Sequence, residues 1–119
     1  MKRIIFGIVF LVLGSVFCYS QNIKGQWEKD FNGAKLILIF YEDTMEAGVI
    51  TPDGSRNFLG YKLEYFVSND LLIIFDYGTG VYAEPLRFEC YINGNSLALI
   101  ALNTHAKISY MDGKYTRRR

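Results

Sequence analysis

The residues that could carry out chemistry in this sequence are few and widely spaced. The chain has one histidine, His105, and two cysteines, Cys18 and Cys90. A structural zinc site built from histidine and cysteine alone needs four such ligands, which excludes one here. Cys90 lies in an alternating apolar run, which favours a small buried hydrophobe over a catalytic thiol, and no base is predicted near it. The sequence therefore predicts no metal centre and no cysteine nucleophile.

The carboxylates and serines also lack a catalytic arrangement. Glu42, Asp43 and Glu46 cluster between two apolar runs, but without the spacing of a calcium-binding loop, so we interpret them as a solvated hairpin. No serine stands in a G-x-S-x-G motif, and no glycine-rich loop precedes a helix to cradle phosphate. No pair of carboxylates is marked as a glycosidase pair. We therefore expect a protein that is not an enzyme and uses no cofactor.

Composition and charge narrow the class of protein. The chain has 119 residues, of which 50% are hydrophobic and 21% charged, with a formal net charge of +1. This length suits one domain, and the balance excludes coiled coil and low-complexity disorder. The near-neutral charge gives no field to attract nucleic acid, and the terminal run 117–119 could neutralise few phosphates. A nucleic-acid partner is therefore not expected.

The amino terminus has the pattern of a secretory signal. Two basic residues follow Met1, and an uncharged apolar run spans Ile4–Phe17. That run is shorter than the roughly 20 residues needed to span a bilayer as a helix. Small residues, Cys18 and Ser20, occupy positions −3 and −1 of a cleavage site before Gln21.

We therefore predict a signal peptide over residues 1–20 and one exported domain over residues 21–119, periplasmic or extracellular. Such a mature domain keeps one cysteine and would hold no internal disulfide. An alternative is lipid attachment at Cys18, although the bulky Phe17 before it disfavours this reading.

The remainder of the chain has the pattern of short strands. Apolar β-rich runs recur, separated by Gly, Asn, Asp and Ser, and Asn93-Gly94 is a strong hairpin dipeptide. Consecutive hairpins give antiparallel neighbours, and closing a small sheet into a barrel removes its exposed edges. The sequence thus predicts an all-β fold, a small eight-stranded antiparallel up-and-down barrel, with a β-sandwich as the alternative. The predicted strands cover residues 23–29, 35–41, 45–51, 58–67, 71–77, 86–92, 96–102 and 114–118.

A family resemblance adds detail to the barrel. Gly25-Gln26-Trp27 opens the domain, and Arg117 stands on the last predicted strand. This pattern resembles the lipocalin (calycin) barrels, and is similar to short bacterial lipocalin-like secreted domains. The resemblance implies that Trp27 packs near the closed end of the barrel with Arg117 over it, so that Gly25, Trp27 and Arg117 form a structural signature. It also implies a role in binding a small, mostly apolar ligand.

The aromatic residues are the candidates for lining such a ligand site. Tyr61 and Tyr65 share one face of the fourth predicted strand, and a buried tyrosine hydroxyl needs a partner. With Phe40 and Phe88, they either line a ligand or only pack the core. The leading hypothesis is an exported, non-enzymatic barrel that binds a small apolar ligand. The alternative is a structural or interaction module with a filled barrel and no ligand.

Several strands are apolar on both faces. If Leu36, Leu38 and Phe40 point inward, Ile37 and Ile39 point outward. The same alternation, with Leu71, Ile73 and Phe75 inward, turns Leu72 and Ile74 outward. A strand that is apolar on both faces is normally covered on both. We therefore expect the outward set to form an interface with a second copy or a partner protein, unless loops of the chain cover it. The outward set is Ile37, Ile39, Leu72 and Ile74.

Overall fold

The structure, a computed structural model, describes residues 16–17, 20–75 and 84–118. Most of the predicted signal peptide lies outside the described residues. The elements in chain order are β1 (Val16–Phe17), α1 (Ser20–Ile23), β2 (Gly25–Phe31), β3 (Ala34–Phe40), β4 (Thr44–Ile50), β5 (Arg56–Phe58), β6 (Leu63–Ser68), β7 (Leu71–Phe75), β8 (Leu86–Asn93), β9 (Ser96–Ala101), α2 (Thr104–Ile108) and β10 (Gly113–Arg117).

Eight of the strands form a closed antiparallel barrel. Each of β2, β3, β4, β6, β7, β8, β9 and β10 pairs with the next one in that order, and β10 pairs back onto β2. The two remaining strands are additions, since β5 pairs with the end of β4 and β1 with the end of β8. The predicted up-and-down barrel is confirmed, and the sandwich alternative is wrong.

The two ends of the barrel differ in the length of their connections. Tight turns join β3 to β4, β6 to β7 and β8 to β9 at the end where β2 begins, which we call the closed end. Asn69 and Gly94 take positive φ values of 55° and 63° in two of these turns, a conformation that Asn and Gly adopt at low cost. The long connections 51–62 and 102–112, the second containing α2, lie at the opposite end, which we call the open end.

The inward faces of all eight barrel strands meet in one core. In β3, Leu36, Leu38 and Phe40 are buried in this core, as the alternation predicted. The largest fully buried side chains are Trp27, Tyr115, Phe40 and Phe88, followed by eight aliphatic and methionine side chains. The barrel interior that the structure describes is therefore occupied by packed side chains.

The inward face of β7 is the opposite of the predicted one. Leu72 and Ile74 are fully buried members of the core, so Ile73 and its neighbours on that face point outward. The reason is that β7 is apolar at every position, which leaves its phase undetermined by alternation. The turn after β6 sets it instead, because it pairs Ser68 with Leu71 and so Val67 with Leu72.

The outer side of β3 is covered by the chain itself. Ile37 points outward, as predicted, but is fully buried, and Ile39 is half-buried. The cross-strand partner of Ile37 is Gly48, and the ring of Phe58 in β5 lies directly on Gly48. With Leu72 and Ile74 inside the barrel, the predicted outward placement of these two residues is wrong, and Ile37 is covered by the chain itself.

Cys90 is fully buried, as the alternating pattern predicted. The structure holds it in a disulfide, whereas the sequence predicted none within a domain starting at Gln21. Cys18, the other cysteine in the sequence, lies outside the described residues.

Candidate functional site

Three of the four predicted ligand-lining residues lie in the packed core. Phe40, Tyr65 and Phe88 are all buried, and the rings of Phe40 and Tyr65 meet edge to face with centroids 5.0 Å apart. The Tyr65 hydroxyl donates to the backbone carbonyl of Tyr41 at 2.5 Å and lies 3.3 Å from that of Glu42. The structure thus supplies protein partners for the hydroxyl that could have faced a ligand.

Tyr61 does not share this environment. It precedes the first residue of β6 and is 36% exposed, so its predicted place on the inner face of a strand is wrong. Strand β6 begins only at Leu63, because residues 56–58 form β5, a separate strand that pairs with the last three residues of β4.

The closed end is sealed by the predicted signature residues. Trp27 is fully buried, and its indole Nε1 donates to the carbonyl of Ile23 at 2.8 Å. The Arg117 guanidinium carbon lies 4.1 Å from the centroid of the Trp27 ring, so the predicted contact is present. A Cβ at Gly25, which has a φ of +120°, would come within 2.9 Å of Arg117 Nη1. Glycine at this position therefore leaves room for the arginine.

The open end carries an apolar depression of about 310 Å³. Its wall is built from residues of β3 and β4 near the open end, from the connection that contains β5, and from the segment between α2 and β10. The lining residues are Leu36, Ala47, Gly48, Val49, Asn57, Phe58, Leu59, Ser109 and Met111. The depression thus lies on the open-end side of the packed interior. There β6 no longer pairs with β4, because it pairs only with Thr44 and Met45 at the start of that strand.

Several exposed apolar residues line this depression or are next in the sequence to residues that line it. Leu59 lines it and is 40% exposed, and Ile108 and Tyr110, next to the lining residue Ser109, are each 62% exposed. The Tyr110 ring contacts that of Phe31, the last residue of β2, with centroids 5.8 Å apart. An apolar hollow with apolar neighbours of this exposure is able to bind another apolar surface.

The segment that forms part of this wall was not predicted from the sequence. Helix α2 has only five residues, Thr104–Ile108, which is too short to show an apolar repeat. The available signal was Asn103, a good N-cap residue whose side chain accepts from the Ala106 backbone N–H at 3.0 Å. The same side chain donates to the Pro85 carbonyl at 2.9 Å, which ties α2 to the start of β8.

The described side chains form no cluster of metal ligands. Within residues 22–75 and 84–118, no three His, Cys, Asp or Glu side chains stand together as metal ligands. The histidine, His105, has Nδ1 at 3.8 Å from Glu84 Oε1, and the two side chains are 43% and 69% exposed. No helix in the described part of the chain is long and apolar enough to cross a membrane.

Comparison with known proteins supports the fold. The structure is similar to the NMR structure of a protein from Bacteroides thetaiotaomicron VPI-5482, with a TM-score of 0.58 and 22% sequence identity over 84% of this chain and 92% of that one. No protein-family model and no curated protein matches the sequence. At this identity the likeness establishes the barrel fold alone.

Proposed function

We propose that the protein is an exported, non-enzymatic, lipocalin-like barrel that binds a small, mostly apolar molecule at its open end. The observation that carries the proposal is the depression of about 310 Å³, whose lining includes Leu36, Val49, Phe58, Leu59 and Met111. Ligand pockets start at about 300 Å³ and are lined mainly by apolar side chains. A site of this size suits one compact ligand that keeps part of its surface in water.

The open end is favoured over the barrel interior by the packing of the core. A ligand inside the barrel would have to displace Phe40, Tyr65 or Phe88, each of which is buried among other core side chains. It would also have to replace the hydrogen bonds from the Tyr65 hydroxyl to backbone carbonyls. Truncation of a large buried aromatic side chain costs roughly 3–5 kcal/mol, and a side chain that is moved out of the core loses the same packing contacts.

Export of the protein is part of the proposal and is supported by the signal pattern in residues 1–20. Cleavage before Gln21 would remove Cys18, the other cysteine of the chain, so Cys90 of the mature domain would be reduced. Asn22 and Ile23 would stay near the new amino terminus, tied to the closed end through their backbone carbonyls. Amino-terminal sequencing of exported protein is expected to begin at Gln21. A chain that begins at Cys18 and carries a lipid mass would overturn this part of the proposal.

Titration with a neutral fluorescent probe, N-phenyl-1-naphthylamine, tests the binding site. Saturable binding to the wild-type protein is expected, and Leu59→Asp should weaken it at least tenfold by placing a charge in the apolar lining. Phe66→Asp is the matched control, because Phe66 is 55% exposed on the outer face of β6 and outside the depression. Absence of saturable binding, or equal loss in both variants, would contradict the proposal.

A second candidate function is that of an interaction module with a filled barrel. Two apolar side chains that are 62% exposed and only two residues apart, Ile108 and Tyr110, favour it. Under this reading the open end associates with a second copy of the chain. Sedimentation should then show a concentration-dependent dimer that Ile108→Asp abolishes, whereas the ligand-binding barrel stays monomeric at all concentrations.

A further inference from the structure

Tyr110 has a backbone conformation that tyrosine rarely adopts. Its φ is +63°, in the left-handed region, and it follows Ser109, the C-cap of helix α2. Glycine is the usual residue at this position because it has no Cβ to clash with the backbone. A tyrosine there is strained, and such strain persists where the surrounding structure imposes it, often at a functional site.

The strained turn forms part of the wall of the depression. Ser109 and Met111, on either side of Tyr110, both line it. The Ser109 hydroxyl donates to the Ala106 carbonyl at 2.6 Å and accepts from the Met111 backbone N–H at 3.2 Å. The Met111 carbonyl in turn accepts from the buried Tyr115 hydroxyl at 2.6 Å. The backbone on both sides of Tyr110 is thus fixed by hydrogen bonds that do not involve its own side chain.

Burial of the Tyr110 ring does not offset this strain. The residue is 62% exposed, and its ring contacts that of Phe31 with 5.8 Å between centroids and an interplanar angle of 55°. Two aromatic rings that are tilted toward each other leave edges and faces available to a third ring. The turn therefore holds an aromatic side chain out in solvent, between two residues in the sequence that line the apolar hollow.

We propose that Tyr110, together with Phe31, selects ligands that carry a flat aromatic or conjugated ring, seated in the depression and against the Tyr110 ring. This inference rests on the proposed binding function and names the class of its ligand. A shallow hollow covers one side of a ligand, so a ring that reaches over the other side can supply selectivity, and an aromatic ring there favours ring-on-ring contact beyond simple area burial. An aliphatic chain of equal size gains only the burial.

Competition with two matched alcohols tests the ligand class. 2-Naphthol and 1-decanol have the same number of non-hydrogen atoms and one hydroxyl each, but only the first is flat and aromatic. We expect 2-naphthol to displace N-phenyl-1-naphthylamine from the wild-type protein at a concentration about tenfold lower than 1-decanol. Equal displacement by both would overturn this inference and leave the binding function standing, whereas no binding of the probe would overturn the binding function itself.

Three substitutions at Tyr110 separate its ring from its backbone strain. Tyr110→Phe should bind 2-naphthol as the wild type does, and both Tyr110→Ala and Tyr110→Gly should bind it at least tenfold more weakly. Tyr110→Gly should at the same time keep or raise the melting temperature, because glycine adopts positive φ without strain. Tyr41→Ala, at the closed end, is the control and should bind normally. A Tyr110→Gly variant that binds 2-naphthol as tightly as the wild type would overturn the proposal, as would one that melts at a much lower temperature, since that result assigns Tyr110 a structural role.

Discussion

The guanidinium carbon of Arg117 lies 4.1 Å from the centroid of the Trp27 ring, while the two terminal nitrogens donate to backbone carbonyls of the segment before β2. Nη1 donates to the Lys24 carbonyl at 2.9 Å and Nη2 to the Asn22 carbonyl at 3.0 Å. The Arg117 side chain, from β10, thus holds the segment before β2 in place and covers the buried indole of Trp27 on β2. This contact closes the barrel at the end opposite the candidate site.

Replacing Arg117 should destabilise the whole domain. A cation over an indole contributes roughly 0.5–2 kcal/mol, and each charge-assisted hydrogen bond adds a comparable amount. We expect Arg117→Ala to lower the free energy of unfolding in urea by about 2–3 kcal/mol. Arg117→Lys should recover only part of this, since an ammonium cannot make the same forked contact.

Arg87→Ala is the matched control for Arg117. Arg87 is exposed on the outer face of β8, and its replacement should change the free energy of unfolding by no more than about 0.5 kcal/mol. Equal effects at the two positions would show that the contact with Trp27 contributes nothing to stability.

Gly48 should tolerate no side chain. A Cβ built there would overlap the Phe58 ring, which lies on the outer face of β4 beside Ile37. Gly48→Ala should therefore push β5 away from β4, expose part of Ile37 and lower the melting temperature by about 5 °C or more. Gly60→Ala is the control, because a Cβ at Gly60 meets no atom within 4 Å and φ there is not positive. A melting temperature that falls equally in both variants would contradict this account of β5.

The barrel could be predicted from the sequence because its determinants are local. Turn residues such as Asn93-Gly94 separate runs of strand length, and Gly25, Trp27 and Arg117 stand at the ends of the chain that closure must join. The inward phase of β7 could not be predicted, since LLIIF is apolar at each position and the turn at Asn69 decides which residues point inward.

The candidate site could not be predicted for a different reason. Part of its wall is irregular backbone, namely the connection containing β5 and the turn at Tyr110, and neither has a periodic pattern. The sequence placed the ligand among Phe40, Tyr65 and Phe88 because they alternate on strands. Those alternating aromatic residues instead fill the core, and the depression combines residues of β3, β4 and β5 with residues of the two long connections.

Lys29 should stabilise the barrel where its seam has few backbone hydrogen bonds. Strands β2 and β10 pair only at Glu28–Thr116 and Trp27–Arg117. On the open-end side of these pairs, the Lys29 ammonium donates to the Asp112 carbonyl and lies 5.4 Å from the centroid of the Tyr115 ring. Lys29→Met keeps the length of the side chain and removes the donor. We expect it to lower the free energy of unfolding by about 1–2 kcal/mol in urea titrations. Lys114→Met, on the same strand pair but facing outward, should have a much smaller effect, and a reversal of this order would refute the role of Lys29.

Ionisation of Tyr65 should lower the free energy of unfolding of the domain at alkaline pH. Burial, reinforced by the charges of Glu42 and Asp43, raises the pKa of Tyr65 from 10.0 to about 12. Because the folded pKa lies above the unfolded one, the stabilisation that this hydroxyl gives is fully present below pH 10 and is lost as pH rises from 10 to 12. Burial and the charge of Asp112 shift the pKa of Tyr115 in the same direction.

The two buried tyrosines can be told apart with a substitution at one of them. Tyr65→Phe removes the titrating group and its bond to the Tyr41 carbonyl, so it should cost about 1 kcal/mol at pH 7. The difference in unfolding free energy between wild type and this variant should then shrink as the pH is raised through 10 to 12, because only the wild type still loses the contribution of Tyr65. Phe66→Leu, at the neighbouring exposed position, has no ionisable group, and its difference from the wild type should stay constant across the same range. A difference for Tyr65→Phe that is equally constant from pH 7 to 12 would show that the buried hydroxyl does not link folding to pH.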